Sequence, residues 1–244
     1  MEYKVYLSTK VNPARLEPGT GIMALEPEDY TVDQIRAIKD KGYKVLGYVS
    51  VGTIEMERPW WKEFSKYKLK RLPDWPKEFY MDVREGEWQT FLLNRAREIQ
   101  AMGFDGWWLD NIDVYSEYKS KKMFRAIAEV FQKFQALGGY VMINGGSEWL
   151  DDAIDQGEKL TDYIHGYTQE EVFSLIDDYD GKGKFGIQAA EDTLFYTGLI
   201  IKAIRKKVDC FLLEYTRDIK LKEKIEAWCR KYGASCCVSE DVDL

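Results

Sequence analysis

The stretch Gly103-Phe-Asp-Gly-Trp-Trp-Leu-Asp-Asn-Ile-Asp-Val-Tyr115 indicates how this chain is built. It has the pattern of a short buried strand that ends in carboxylates. Because side chains alternate along a strand, Trp108 and Asp110 share one face and Trp107 lies on the other. A strand whose last inward residue is an aspartate fits poorly into a closed core. It fits a site at the carboxyl edge of a parallel sheet.

The rest of the chain has a matching rhythm of strands and helices. Eight segments have the apolar or alternating character of strands, at residues 3–8, 22–26, 45–51, 106–111, 140–144, 163–170, 210–215 and 235–239. Amphipathic helices are predicted between them, at about 31–41, 88–102, 120–137, from 147 onward, at 191–206 and at 218–231. Thr31 and Ser147 are the predicted N-caps of two of these helices.

This alternation, without a linker or a low-complexity segment, predicts an α/β fold, a single (β/α)8 TIM barrel spanning residues 1–244. A doubly wound open sheet is the alternative. It would require a glycine-rich phosphate turn after an early strand, and Val51-Gly52-Thr53 is too short to form one. A long loop at about 53–87 follows the third strand, and loops of this length are usually functional. A glycine-rich loop is predicted at 181–186.

The composition restricts the classes of function. The net charge is −7 and the pI is near 5.1, without a basic stripe, which argues against a nucleic-acid partner and favours a cationic ligand. No apolar run reaches membrane-spanning length, and the first residues enter a strand rather than a signal peptide. We therefore expect no membrane partner. We expect a cytoplasmic protein, or an extracellular one if a leader precedes this sequence.

Histidine and cysteine are scarce. His165 is the only histidine, so neither a histidine-rich metal site nor a Ser-His-Asp triad is expected. It falls on the outward face of a predicted strand, which indicates a structural role. The four cysteines are expected to be reduced core thiols. Lys4 and Lys44 lie near the beginnings of strands, the wrong end of a barrel for a Schiff base.

Polar residues gather where the predicted strands end, and in a barrel these ends form the reactive face. The last inward side chains of the second to seventh strands are predicted to be Glu26, Tyr48 with Ser50, Asp110, Asn144, Glu170 and Glu214. A ring of carboxylates without histidine supports either glycoside hydrolysis by two acids or a hard-metal site for Mg²⁺ or Ca²⁺. The aromatic residues of the long loop favour the first, because sugar rings stack on aromatic side chains.

Several motifs in order along nearly the whole chain carry a family resemblance. They are Gly47-Tyr48-Val-Ser-Val-Gly52-Thr53-Ile-Glu55, Arg58-Pro59, Trp75 with Glu78 and Met81-Asp82-Val-Arg84, Gly103-Phe-Asp-Gly-Trp-Trp-Leu-Asp110-Asn111-Ile-Asp113, Ile143-Asn144-Gly145-Gly146, Thr168-Gln-Glu170 and Leu213-Glu214-Tyr215. The sequence resembles glycoside hydrolase family 114, the endo-α-1,4-polygalactosaminidase-like barrels. The first and fourth of these motifs are specific in combination, although each alone would be a weak signal.

The resemblance implies that Asp110 and Glu170 are the catalytic pair of a retaining glycoside hydrolase, with Asp110 as nucleophile and Glu170 as general acid/base. Glu171 competes for the second position, and strand alternation favours Glu170. We expect no cofactor and no metal. The resemblance further implies an oligo- or polysaccharide substrate, an α-linked polymer that contains cationic galactosamine. Predicted substrate-binding residues are Glu26, Tyr48, Arg58, Asp82, Trp108, Asp113, Asn144 and Glu214.

Alternatives remain open for some of these residues and for the function. Tyr48 and Trp108 could fill the barrel instead of lining sugar subsites. Arg58 could anchor the long loop through Asp82, and Asp113 could orient the turn after the fourth strand. The competing functions are a non-catalytic carbohydrate-binding barrel and a metal-dependent lyase or phosphohydrolase.

Overall fold

The computed structural model describes residues 1–73, 75–177 and 184–242. Its centre is an eight-stranded parallel sheet in which the strands are ordered in space as they are along the chain. These barrel strands are Glu2–Tyr6, Gly21–Leu25, Tyr43–Ser50, Gly106–Asp110, Tyr140–Asn144, Gly166–Glu170, Asp209–Tyr215 and Ser235–Ser239. The first strand also lies against the eighth, which brings the sheet round into a barrel. The predicted (β/α)8 barrel is confirmed.

Helices surround the barrel. The longer ones are Val32–Lys39, Gly86–Ala101, Lys121–Gln135, Ser147–Asp155, Ala190–Arg205 and Ile219–Tyr232, and two single-turn helices are Trp61–Phe64 and Val114–Glu117. Thr31 caps the first as predicted, because its hydroxyl accepts the Gln34 N–H at 3.3 Å while the Gln34 side chain accepts the Thr31 N–H. The cap predicted at Ser147 is wrong. Gly146 holds the N-cap position with φ of 69°, a left-handed conformation that glycine adopts without steric cost.

The fourth barrel strand separates two cores, as its alternation predicts. On the inner face, Trp108 is buried and its indole N–H donates to the Tyr3 hydroxyl at 2.8 Å. On the outer face, Trp107 is fully buried beneath the helices. Its indole N–H donates to the Ala96 carbonyl at 3.0 Å, and its ring packs edge-on against Phe134. Burying two indoles with satisfied N–H groups anchors this strand from both sides.

The segment after the third strand contains a small antiparallel sheet. Its strands are Thr53–Glu55, Lys68–Arg71 and Glu78–Met81, with the last of these in the middle. The sequence pattern predicts only a loop here, because strands of three or four residues are too short to show a periodicity. Gly52 begins the segment, and a Cβ there would lie 1.9 Å from the Asn111 carbonyl oxygen. The turn therefore packs directly against the chain that follows Asp110.

A second small hairpin follows the sixth barrel strand. Ser174–Ile176 pairs antiparallel with Phe185–Ile187. The glycine-rich loop predicted at 181–186 lies outside the described residues at 181–183, and residues 185–186 belong to the second strand of the hairpin.

The remaining expectations concern His165, the cysteines and the membrane. His165 Nδ1 accepts the Val141 N–H at 3.0 Å, a structural contact between neighbouring strands. All four cysteines are free thiols, and Cys210 and Cys229 are buried. Within the described ranges, no helix is both long enough and apolar enough to cross a lipid bilayer.

Candidate active site

Two acids meet at the carboxyl-end face of the barrel. Asp110 ends the fourth barrel strand and Glu170 ends the sixth. Asn144 ends the fifth strand between them, and its amide nitrogen donates to Asp110 Oδ1 at 2.9 Å and to Glu170 Oε1 at 2.6 Å. Because a single nitrogen contacts both, these two carboxylate oxygens are at most 5.5 Å apart. The residues predicted at the ends of three neighbouring strands are brought together.

Glu170 is held in an environment that favours its protonated form. Tyr215 donates its hydroxyl proton to Glu170 Oε2 at 2.6 Å. Withdrawal from bulk water raises the pKa of Glu170 to about 7, and the negative charge of Asp110 acts in the same direction, although the hydrogen bonds from Tyr215 and Asn144 oppose it. The competing residue, Glu171, has a left-handed backbone with φ of 55° and accepts the Ile176 N–H. The structure therefore brings Glu170, and not Glu171, to Asn144.

More hydrogen-bond donors are directed at Asp110 than at Glu170. Burial raises the pKa of Asp110, and the Asn144 amide, the Asn111 backbone N–H and the Tyr48 hydroxyl oppose this shift by stabilising the charged form. The chain leaves the strand through Asn111, whose φ of 63° turns the backbone sharply. Asparagine is one of the residues that tolerate this conformation, so the backbone geometry explains why an asparagine follows Asp110.

Asn144 itself is not fully satisfied. Its side chain is 4% exposed, and among the described residues its amide oxygen has no hydrogen-bond partner. A buried carbonyl without a partner costs about 1–3 kcal/mol. The two carboxylates fix this orientation, since only the amide nitrogen can donate to them. The unpaired amide oxygen of Asn144 is thus the energetic cost of placing its amide nitrogen between the two acids.

The acids lie in a wide cleft of about 890 Å³, which we call the acidic cleft. Its lining includes the carboxylates of Glu26, Glu55, Glu57, Glu78, Asp110, Asp113, Glu170 and Glu171 and the cationic side chains of Arg58 and Lys77. Aromatic side chains at its surface are Tyr48, Trp75, Tyr196 and Tyr215. A volume of this size fits a chain of sugar units, and the excess of carboxylates favours a cationic one.

Arg58 anchors the inserted segment, but its partners differ from the predicted one. Its guanidinium donates to Glu26 Oε2 at 2.9 Å and to Glu55 Oε1 at 3.0 Å, and Asp82 is paired with Arg84 instead. Burial and the neighbouring Glu28 raise the pKa of Glu26 to about 7, with Arg58 acting in the opposite sense.

Three of the predicted substrate-binding residues besides Glu26 and Arg58 can be placed at the cleft, namely Tyr48, Asp113 and Asn144. Tyr48 and Asn144 line the cleft beside Asp110. Asp113 is exposed at its rim, where one carboxylate oxygen accepts the Gly146 N–H at 3.0 Å. Trp75, in the long loop, is 53% exposed beside the same cleft and supplies an aromatic surface.

Three predicted substrate-binding residues lie outside the acidic cleft, and these predictions are corrected. Asp82 forms an ion pair with Arg84 in the turn after the inserted sheet. Trp108 lies inside the barrel, below Asp110, with its indole N–H on Tyr3. Glu214 is fully buried and accepts the N–H groups of residues 173 and 174 and the hydroxyl of residue 174, so it fixes the chain after the sixth strand.

The error at Glu214 has a physical cause. Both faces of the seventh strand are apolar, so its sequence does not show which face points inward. Phe211, Leu213 and Tyr215 belong to the inner barrel core, and Leu212 belongs to the outer one. The alternation therefore directs Tyr215, and not Glu214, towards Glu170.

Sequence reasoning also missed Glu78 as a member of the site. Withdrawal from water raises the pKa of Glu78 to about 7, with the negative charges of Glu55 and Asp110 acting in the same direction. Glu78 belongs to a motif that carries the family resemblance, but no strand periodicity predicts that it lines the cleft, because it does so through the inserted sheet. In the described part of the chain, no three Asp, Glu, His or Cys side chains are grouped as a metal site.

A parallel barrel with a pair of carboxylates at the carboxyl ends of its strands defines a protein of the barrel glycoside-hydrolase class. The chain belongs to glycoside-hydrolase family GH114, whose family model matches residues 2–242.

Solved structures of two proteins share the fold. The glycoside hydrolase domain of PelA from Pseudomonas aeruginosa is 18% identical, with a TM-score of 0.82 over 100% of this chain and 96% of that one. Aspergillus fumigatus Ega3, solved in complex with galactosamine, is 14% identical, with a TM-score of 0.75 over 98% of this chain and 90% of the other.

Two curated relatives match part of the chain. A protein of Deinococcus radiodurans described as uncharacterized is 28% identical over 50% of this chain, and one of Thermotoga maritima is 23% identical over 62%. The matches span 42% and 51% of the lengths of those two relatives, so the chain corresponds to about half of each.

Proposed function

We propose that this chain hydrolyses an α-linked, galactosamine-containing polysaccharide with retention of configuration. Asp110 is the nucleophile and Glu170 is the general acid/base. The observation that carries the proposal is the Asn144 amide nitrogen, which holds one oxygen of each acid within 5.5 Å of the other. Retaining glycosidases have carboxyl groups about 5–5.5 Å apart, whereas inverting enzymes need about 6.5–9.5 Å to admit a water molecule.

The electrostatics support this division of roles. A pKa of about 7 keeps much of Glu170 protonated near neutral pH, ready to protonate the leaving oxygen. The donors around Asp110 favour its ionised form, which attack on the anomeric carbon requires. Once Asp110 is esterified to the sugar, its negative charge is lost. The pKa of Glu170 then falls, and Glu170 becomes a base that activates the incoming water.

The charge of the cleft supports an amino sugar as substrate. The carboxylates of the acidic cleft outnumber its two cationic side chains, Arg58 and Lys77, and both of these are paired with glutamates. A polymer that carries protonated amino groups would be attracted to this surface, and an anionic polymer would be repelled. The galactosamine bound to Ega3, which shares this fold, is consistent with this chemistry.

The test is an oligosaccharide-release assay on α-1,4-galactosaminogalactan, with fully acetylated polymer and neutral galactan as comparison substrates. We expect hydrolysis of the first polymer and loss of about 10²–10⁴-fold in kcat for Glu170→Gln. We expect no measurable turnover for Asp110→Asn. Asp209→Asn is the matched control, because Asp209 lies at the opposite end of the barrel, where its carboxylate accepts the Tyr140 hydroxyl. Full activity in both active-site variants would refute the assignment.

The stereochemistry and the rival functions are tested with the same protein. NMR of the first product should show the α anomer, and release of the β anomer would contradict the nucleophilic role of Asp110. Activity should persist in EDTA, because the proposed mechanism uses no metal. Loss of activity that added Mg²⁺ or Ca²⁺ restores would favour a metal-dependent enzyme. Binding of the polymer without any hydrolysis would favour a carbohydrate-binding barrel.

A further inference from the structure

Glu78 is an unusual neighbour for a cleft already rich in acids. It lies directly opposite Glu55 in the antiparallel pairing of the inserted sheet, and both side chains line the acidic cleft. Like charges opposite one another destabilise a sheet unless something compensates them. The compensation for Glu78 is a hydrogen bond from the hydroxyl of Thr53, a buried residue.

From Thr53, hydrogen bonds continue to Asp110. The hydroxyl oxygens of Thr53 and Ser50 are 2.6 Å apart. Ser50 Oγ accepts from the Asn111 side-chain amide at 3.0 Å, and the same amide nitrogen lies 3.4 Å from Asp110 Oδ2. We call the side chains of Thr53, Ser50 and Asn111 the relay. It connects a carboxylate of the inserted sheet with a carboxylate of the barrel.

The backbone is shaped to hold the relay in place. Ser50 and Asp110 are register partners on neighbouring barrel strands, and both end their strands. Gly52 lets the following turn approach the Asn111 carbonyl so closely that no side chain would fit. Asn111 itself has a left-handed backbone. The backbone therefore places Ser50 and Asn111 beside Asp110, which a chance contact between surface side chains would not require.

We propose that Thr53 is a positioning residue that holds the carboxylate of Asp110 in place through Ser50 and Asn111. The hydrogen bond to Glu78 in turn holds the Thr53 hydroxyl. The proposal rests on the nucleophilic role of Asp110. Asn144 holds Oδ1 of this carboxylate from one side, and Asn111 lies against Oδ2 from the other. Fixing both oxygens sets the direction from which the carboxylate approaches the anomeric carbon. Misplacing a reacting group by about 1 Å can cost about 10²-fold in rate.

The decisive variant is Thr53→Val, which removes the hydroxyl and keeps the branched shape. We expect kcat to fall about 10-fold with KM unchanged, because the lost interaction affects the reaction and not substrate binding. Thr53→Ser, which restores a hydroxyl, should recover at least half of the activity. Thr90→Val is the matched control, because Thr90 is exposed and its hydroxyl donates to the Gly86 carbonyl of its own helix.

A second measurement does not depend on turnover. The pKa of Asp110, followed by NMR of ¹³C-labelled aspartate, should rise in Thr53→Val, because a displaced Asn111 no longer stabilises the charged form. It should stay unchanged in Thr90→Val. If the wild type hydrolyses no galactosamine polymer, the proposed function fails while this titration still tests the relay. If Thr53→Val does not fold, Ser50→Ala is measured in the same way.

The outcomes separate cleanly. A lower kcat together with a higher pKa of Asp110, both reversed in Thr53→Ser, supports the relay. An unchanged kcat with an unchanged pKa of Asp110 in Thr53→Val overturns it. So does an effect confined to KM, because that would indicate substrate binding by this region.

Discussion

Replacing Tyr215 by phenylalanine tests how the proposed general acid/base is tuned. The Tyr215 hydroxyl donates to Glu170 Oε2 at 2.6 Å and stabilises the ionised carboxylate. A hydrogen bond to a charged group contributes about 1.5–3 kcal/mol, and one pKa unit corresponds to about 1.4 kcal/mol. Its loss should therefore raise the pKa of Glu170 by about 1–2 units. Starting from about 7, the pKa moves to between about 8 and 9.

The sign of the effect on activity follows from the role of the group. The free enzyme needs protonated Glu170, so kcat/KM should fall as the pH rises through the pKa of Glu170. In Tyr215→Phe this alkaline limb should move upward by about 1–2 units. The assay is the pH dependence of kcat/KM on a soluble galactosamine oligomer. Titration of the substrate's own amino groups affects wild type and variant equally, so only the difference between the two profiles is interpreted.

The matched control is Tyr140→Phe. Tyr140 also donates its hydroxyl to a carboxylate, Asp209 Oδ2, at 2.8 Å, but at the opposite end of the barrel. Its alkaline limb should coincide with the wild-type limb. A limb that stays in place in Tyr215→Phe, or moves to lower pH, would refute the role given to this hydrogen bond.

Three further predictions concern stability and salt. Trp107→Ala should lower the free energy of unfolding by about 3–5 kcal/mol in urea denaturation, because it leaves a cavity at a fully buried site between the barrel and its helices. The control is Leu194→Ala at an exposed position, which should change the free energy of unfolding by less than about 0.5 kcal/mol. Glu214→Ala should lower the free energy of unfolding by about 3 kcal/mol or more, since the substitution leaves two backbone N–H groups and a hydroxyl without their acceptor. A loss of stability below about 1 kcal/mol would show that water replaces the carboxylate. The KM for a galactosamine polymer should rise when the salt concentration is raised from about 50 to about 500 mM, because the electrostatic screening length shortens about threefold over this range. A KM that does not change with salt would show that the acidic cleft does not attract the substrate by charge.

The sequence carried the information for the barrel and for most of the strand ends. Eight segments with strand character alternate with amphipathic helices, and without a glycine-rich phosphate turn this alternation favours a closed parallel barrel over an open doubly wound sheet. Within the fourth strand, Trp107 and Trp108 had to face opposite cores, so the direction of Asp110 followed. Within the sixth, alternation separated Glu170 from Glu171. These predictions succeed because each depends on the geometry of a single strand.

The prediction for the seventh strand failed for the converse reason. Both of its faces are apolar, so Glu214 was predicted at the cleft and Tyr215 was not. The structure reverses them, because Glu214 is needed as an acceptor for the chain after the sixth strand. Where the two faces of a strand have the same polarity, periodicity carries no information about which one faces the site.

By itself, then, the sequence determined the (β/α)8 barrel and the arrival of Asp110, Asn144 and Glu170 at one face of it. Only the tertiary structure decided how these groups act on one another. The 5.5 Å limit between the two acids comes from one amide nitrogen that contacts both. The contacts of Tyr215 and Glu78 with the site likewise join parts of the chain that are distant in sequence. A pKa and a hydrogen-bond relay depend on distances across several strands, and no local pattern of residues encodes them.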